Sequence, residues 1–166
     1  MPALDRLWAP WRSALLAQKP GKRCIFCAAR RAPRRRDRGQ YVVARGRHVF
    51  ALLNLYPYNN GHFMIAPYRH VGRWTALRPQ EWTECLTLGQ RLTRRLERTL
   101  HPHAFNVGFN LGRAAGAGIA GHLHLHVVPR WHGDTNFLPI LGGTKVISQS
   151  LDAVYELLAA RPERSR

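Results

Sequence analysis

Gly121-His122-Leu123-His124-Leu125-His126-Val127-Val128-Pro129-Arg130 alternates histidine with an apolar residue over two full periods. A β-strand sends successive side chains to opposite faces, so Leu123, Leu125 and Val127 point to a core while His122, His124 and His126 stand roughly 6.6 Å apart on the other side. Imidazoles buried without partners are costly, so three in register opposite Leu and Val read as a functional face. A solvated ladder of surface histidines is the bland alternative.

Working outward, Tyr41 to Arg45 and His48 to Leu55 read as a hairpin turning at Arg45-Gly46-Arg47. Gly61 to Pro67 is a third strand after the turn Tyr56-Pro57-Tyr58-Asn59-Asn60. The period then changes. From Pro79 to Leu100, Trp82, Cys85, Leu86, Leu92 and Leu96 recur at helical spacing, with Glu81 and Glu84 early and Arg94, Arg95 and Arg98 late, as the helix dipole favours. Ala104 to Leu111 and Gly121 to Val128 supply two more strands, joined by the glycine-rich Gly112 to Ala120, and a second helix is expected from Ser150 to Ala159. Five strands with one long helix between the third and fourth make an α+β domain on an antiparallel sheet. The chain divides into an N-terminal extension (1–22) packed on the domain through Leu7-Trp8-Ala9-Pro10-Trp11, a central domain (23–136) and a C-terminal extension (137–166) with its helix.

The 166 residues, 45% apolar, are enough for one domain with a core. Twenty-six basic residues against nine acidic ones give a net charge of +17, and lysine contributes only Lys19, Lys22 and Lys145. That balance implies an anionic partner: nucleic acid, a nucleotide polyphosphate or an acidic surface. Arg30 to Arg38, with six arginines against Asp37, reads as an exposed basic loop. Met1 to Gln18 lacks a signal-peptide pattern and no run approaches ~20 apolar residues, so a cytoplasmic protein without a membrane partner is expected. Cys24-Ile25-Phe26-Cys27 fits metal binding, redox chemistry or two buried thiols, and Cys85 belongs to the helix core.

With Asn54, Gly61-His62 and Asn110 at the expected places, His122 to Val128 resembles the motif of the histidine triad (HIT) family: His-x-His-x-His followed by two apolar residues. The likeness runs from about Cys24 to Asn136. More narrowly, Leu53 to Asn59, Phe105 to Gly112 and Val127 to Trp131 are similar to the branch of bacterial diadenosine tetraphosphate phosphorylases and dinucleoside polyphosphate hydrolases. The resemblance implies a HIT-like fold and attack by the middle histidine, His124, on the α-phosphorus of a nucleotide, giving a nucleotidyl-histidine that phosphate or water then cleaves. It makes His126 the contact to the reacting phosphate and the leaving group. Asn54 becomes the ribose ligand and Asn110 a neighbour of the phosphates, with Leu52 and Met64 bordering the base and His62 supporting the site. One departure stands out: where many members carry Ser or Thr before the first histidine, this turn reads Ala117-Gly118-Ile119-Ala120, so backbone amides around Gly118 and Ile119 must hold phosphate.

By the same resemblance, Cys24, Cys27, His70 of Pro67-Tyr68-Arg69-His70, and His122 form a closed structural zinc site. Mg²⁺ would accompany the polyphosphate rather than the protein. The expected partners are a dinucleoside polyphosphate, inorganic phosphate as second substrate, and further copies of the chain in a homodimer or higher homo-oligomer. Phosphorolysis is favoured over hydrolysis. The rival readings are a basic zinc-stabilised RNA- or DNA-binding module using Arg30 to Arg38, Trp8, Trp11 and Trp74, and a nucleotide-binding regulatory protein. The binding module needs no three-histidine strand and nucleic acid is the less favoured partner, whereas the regulatory protein would share its site residues with the enzyme.

Overall fold

The structure, a computed structural model, describes residues 24–135 and 147–159. The extension bearing Trp8 and Trp11, and most of the chain between Asp134 and Ser148, lie outside the described residues. Five strands, β1 (Val42–Arg45), β2 (Val49–Leu53), β3 (Phe63–Pro67), β4 (Ala104–Phe109) and β5 (Leu125–Arg130), form one antiparallel sheet in the order β1-β2-β3-β5-β4. Among the described residues three α-helices accompany them: α1 (Ile25–Arg31), α2 (Pro79–Leu100) and α3 (Leu151–Ala159). The α+β class, the antiparallel sheet, the long helix and the C-terminal helix are as the sequence predicts.

Each face of the sheet is buried for a different reason. On one side α2 presents Cys85, Leu88, Leu92 and Leu96, a 3.6-residue stripe, to Val49, Ala51, Leu53, Phe63, Ile65, Leu125 and Val127, and α3 adds Val154, Tyr155 and Leu158. Cys85 is inert there, its thiol pushed up to about 12 by burial. The other face, formed by the alternate residues Phe50, Leu52, Met64 and Ala66 with Val42, is covered by Phe26 and Ala29 of α1. The histidines lie on this second side.

Two expectations need correction. Arg30 to Arg38 is not a free loop: its first two residues close α1, and two 3₁₀ turns, Arg34–Arg36 and Arg38–Gln40, follow. The seven-residue α1 forms because Phe26 and Ala29, three apart, dock on the sheet; so short a helix would be marginal in isolation. Asp37 is paired to Arg45 at 2.7 Å. The histidine strand also starts later than its alternation suggests. The β3–β5 ladder ends at Ile65 and Leu125, and the preceding amides turn to other acceptors, His122 to the Ile119 carbonyl at 3.2 Å and Leu123 to that of Val71 at 2.6 Å. His122 and His124 therefore sit on irregular backbone running into β5, and only His126 is inside the strand.

A carboxylate on α2 locks the β1–β2 turn. Glu84 accepts the backbone N–H groups of Arg47, His48 and Val49. Burial alone would raise this carboxyl, but the three donors outweigh it and hold it below the ordinary range. Glu84→Ala strands those donors and should cost roughly 2 kcal/mol in urea unfolding. Because the folded carboxyl is depressed, the wild-type advantage should be complete above the unfolded pKa, about 4.3, and vanish as pH falls through the folded value; a variant as stable as wild type at pH 7 would remove the lock.

Candidate active site

Four imidazoles meet where β3 and β5 begin to pair. Gly61, at φ +75°, makes the turn that delivers His62; a Cβ there would also press within 3.1–3.3 Å of Leu100, Pro129 and Leu96. His62 is 1% exposed. Its Nδ1 accepts the Tyr58 backbone N–H at 3.0 Å and lies 3.3 Å from Asn54 Nδ2. The backbone donor fixes the tautomer, so the proton is on Nε2 and is donated to His126 Nδ1 at 2.9 Å. The neutral His126 then carries its own proton on Nε2, an atom that is buried and has no hydrogen-bond partner among the described residues.

His124 is arranged the other way round. Its Nδ1–H donates to the His122 carbonyl at 2.8 Å, which leaves a lone pair on Nε2. The His124 and His126 rings are edge to face with centroids 4.7 Å apart. A bare nitrogen and an N–H donor thus stand side by side. Burial pushes the His124 pKa down, and burial with the neighbouring His124 takes His126 to about 4. Both rings are neutral near pH 7, the state in which one can attack an electrophile and the other donate to it.

His122, with no exposure, uses its side chain for something else. Its Nε2–H donates to the Pro67 carbonyl at 2.9 Å, so Nδ1 is bare and faces Cys24 Sγ at 3.3 Å and Cys27 Sγ at 3.7 Å. Cys27 Sγ is also 3.2 Å from His70 Nδ1. One ligand atom from each of Cys24, Cys27, His70 and His122 lies within 4.8 Å of the others. Two thiols and two imidazoles, one of them locked in the ligating tautomer, fit a tetrahedral metal ion.

The remaining expected residues fall on the elements that flank these imidazoles. Asn54 follows β2 beside His62, its Oδ1 accepting the Tyr56 N–H at 3.0 Å. Leu52 and Met64 are partners across β2 and β3 and lie in the apolar cluster under α1, with Met64 opposite His126. Asn110, just beyond β4, comes within 3.8 Å of where a Gly116 Cβ would be, so it borders the glycine-rich loop. Gly112 and Gly116 take φ of +86° and +88° in that loop, with Gly118 exposed and Ile119 packed toward the α1 cluster. Phe26, fully buried against His122 and His124, was not singled out from the sequence; an aromatic between two candidate metal ligands was the available signal.

The HIT domain family model matches residues 35–133. The chain is 48% identical over 162 residues to the AP-4-A phosphorylase of Mycobacterium tuberculosis strain H37Rv, across 94% of this chain and 83% of the relative. It is 32% identical over 96 residues to the asymmetrical bis(5'-nucleosyl)-tetraphosphatase of Schizosaccharomyces pombe, covering 58% of this chain and 52% of that protein. A Zn-bound histidine triad family protein from Mycobacterium smegmatis superposes with a TM-score of 0.63 at 27% identity, over 82% of this chain and 90% of that one. With its family model, its sequence relatives and its fold matched in this way, the chain belongs to the HIT domain family.

The hydrogen-bond chain has a direct spectroscopic signature. Long-range ¹H–¹⁵N spectra should show His124 protonated on Nδ1, and His62 and His126 on Nε2, with the His126 ring neutral down to about pH 4. A His126 ring titrating near the ordinary ~6.5 would contradict the buried relay.

Proposed function

We propose that the chain splits diadenosine tetraphosphate-like substrates at an α-phosphorus through a nucleotidyl-His124 intermediate, with inorganic phosphate favoured over water as the second acceptor. It is an enzyme acting on dinucleoside polyphosphates, as its likeness to an AP-4-A phosphorylase and to a bis(5'-nucleosyl)-tetraphosphatase indicates. The observation that carries the mechanism is the opposed protonation of the two neighbouring rings: a lone pair on His124 Nε2 beside an N–H on His126.

In this reading His124 Nε2 attacks the α-phosphorus in line, forming the N–P bond as the bond to the bridging oxygen breaks. His126 Nε2–H donates to the reacting phosphate and helps the nucleoside polyphosphate leave. The Nδ1–H···O=C bond to His122 stabilises the positive charge that attack places on the His124 ring. A phosphate oxygen then displaces the imidazole, so AMP bound to histidine departs as ADP and the enzyme is restored. Asn54 contacts the ribose, Leu52 and Met64 border the base and His62 holds His126. Asn110 lies by the phosphates, with the amides of Gly118 and Ile119 in place of a hydroxyl side chain. Mg²⁺ enters only as the counter-ion of the polyphosphate.

Cys24, Cys27, His70 and His122 would hold a zinc ion whose part is to tie α1 to the approach to β5. Two further expectations belong to this reading. The protein works in the cytoplasm, consistent with its free cysteines, and among the described residues no helix is long and apolar enough to cross a membrane. It assembles as a homodimer or higher homo-oligomer, supported by β4, which is an edge strand among the described residues and where Val107 is 58% exposed.

Two measurements test the proposal. With diadenosine tetraphosphate in phosphate buffer the products should be ADP and ATP, and in phosphate-free buffer turnover should slow and yield AMP and ATP. AMP as the main product in both buffers would reject phosphorolysis. His124→Ala should reduce turnover by on the order of 10⁴-fold or more, and retained activity would reject the intermediate. For the metal, protein purified without additions should carry about one zinc per chain, and Cys27→Ala should lose it and lower Tm by roughly 5 °C or more. Zinc-free wild type, or Cys27→Ala with undiminished zinc, would remove the site.

A further inference from the structure

α1 joins the candidate metal centre to the reacting imidazole. Cys24 is its N-cap and Cys27 lies in its first turn, so both thiols face His70 and His122. Phe26, between them in sequence, turns instead to the sheet. It is 1% exposed, and its ring centroid is 5.0 Å from that of His122 and 4.8 Å from that of His124. His124 has one hydrogen bond among the described residues, from Nδ1 to the His122 carbonyl. One such bond fixes a nitrogen but not the plane of the ring. The plane is set by packing, with Phe26 against the ring and His126 at its edge.

Building on the reading of His124 as the reacting imidazole, we propose that Phe26 is a positioning residue for His124, and that occupancy of the Cys24, Cys27, His70 and His122 centre controls that position by fixing α1. Two of the three contacts that orient His124 run through this centre. Phe26 is carried between two of its ligands, and the carbonyl that accepts from Nδ1 belongs to a third. A seven-residue helix has little hold of its own. Its other ties are the apolar seat of Phe26 and Ala29, and the hydrogen bonds of Arg30 to the Tyr68 carbonyl and of Arg45 to that of Ala29. With the ion bound, α1, the segment after β3 and the approach to β5 share one coordination sphere, and the ring of Phe26 is held against His124. With the ion lost, the thiol and imidazole contacts that remain are weak, and His124 gains freedom to rotate and to exchange tautomers. The centre thus acts on the orientation of the nucleophile as well as on stability.

A merely structural Phe26 would change stability and leave the imidazole alone, which separates the two cases. The test uses full-length, zinc-loaded Phe26→Leu. It should keep the zinc content and far-UV dichroism of wild type and hold KM for diadenosine tetraphosphate within about twofold, but lose about tenfold in kcat. Its His124 ring nitrogens should move from a single Nδ1–H tautomer to an averaged pair. Wild type stripped of zinc by a chelator should show the same His124 change, reversed on adding zinc. If stripping unfolds the chain, the zinc-loaded variant decides alone. Wild-type kcat with an unshifted tautomer in Phe26→Leu overturns the proposal, as does an unshifted His124 signal in stripped protein that keeps its dichroism. Turnover surviving in His124→Ala would instead overturn the reaction assigned to that residue, because the tautomer of His124 in Phe26→Leu is read without turnover.

Discussion

The hydrogen bond from His124 Nδ1–H to the carbonyl of His122 is the constraint around which the site is built. It selects one tautomer and leaves a single nitrogen free. The same His122 donates its Nε2–H to Pro67 and turns Nδ1 to the thiols, so one residue with no exposure uses its backbone to orient His124 and its ring to meet Cys24 and Cys27. That economy explains why β5 begins only at Leu125. Before that point the chain gives up ladder bonds to β3 so that His122 and Leu123 can bond to the loops on either side.

Burying His62, His122, His124 and His126 together is tolerable because their donors and acceptors are matched in sequence. The Tyr58 amide sets His62, and His62 sets His126. The chain of donors ends on His126 Nε2–H, which lacks a partner among the described residues. An unsatisfied buried donor costs about 1–3 kcal/mol, so its persistence needs a reason. The proposed contact to a phosphate oxygen would supply one, since the cost would be offset once an anion arrived at a donor already aimed at it.

Much of this was legible in the sequence because it rests on periodicity. The alternation through His122 to Val127 and the stripe Cys85, Leu88, Leu92 and Leu96 are local signals, and they fixed the strands, the long helix and the face bearing the site. The candidate site residues came from the resemblance of His122, His124 and His126 to the motif of the HIT family. What was not legible depends on distant partners. α1 has weak helical character of its own and forms because Phe26 and Ala29 find the sheet. Asp37 looks like a lone acid among arginines until Arg45, eight residues on, arrives beside it. The role of the Tyr58 amide in choosing the tautomer of His62 is a backbone effect that no residue type encodes.

The large positive charge and the neutral imidazoles answer different parts of one problem. A dinucleoside polyphosphate is attracted over distances up to about a Debye length, so arginines at the surface can recruit it without touching the histidines. A protonated His124 would also attract phosphate, but its lone pair would be gone. Burial separates the two tasks: desolvation disfavours the charged imidazole and scarcely affects solvated guanidiniums. Several arginines are committed elsewhere, Arg45 to Asp37, Arg69 to Glu81 and Arg130 to Asp134. Arg113 has no such ion pair among the described residues. It is the only charged residue between Gly112 and Gly121, so it puts fixed positive charge on the loop that leads into His122, the loop to which the proposed function assigns backbone contacts to phosphate.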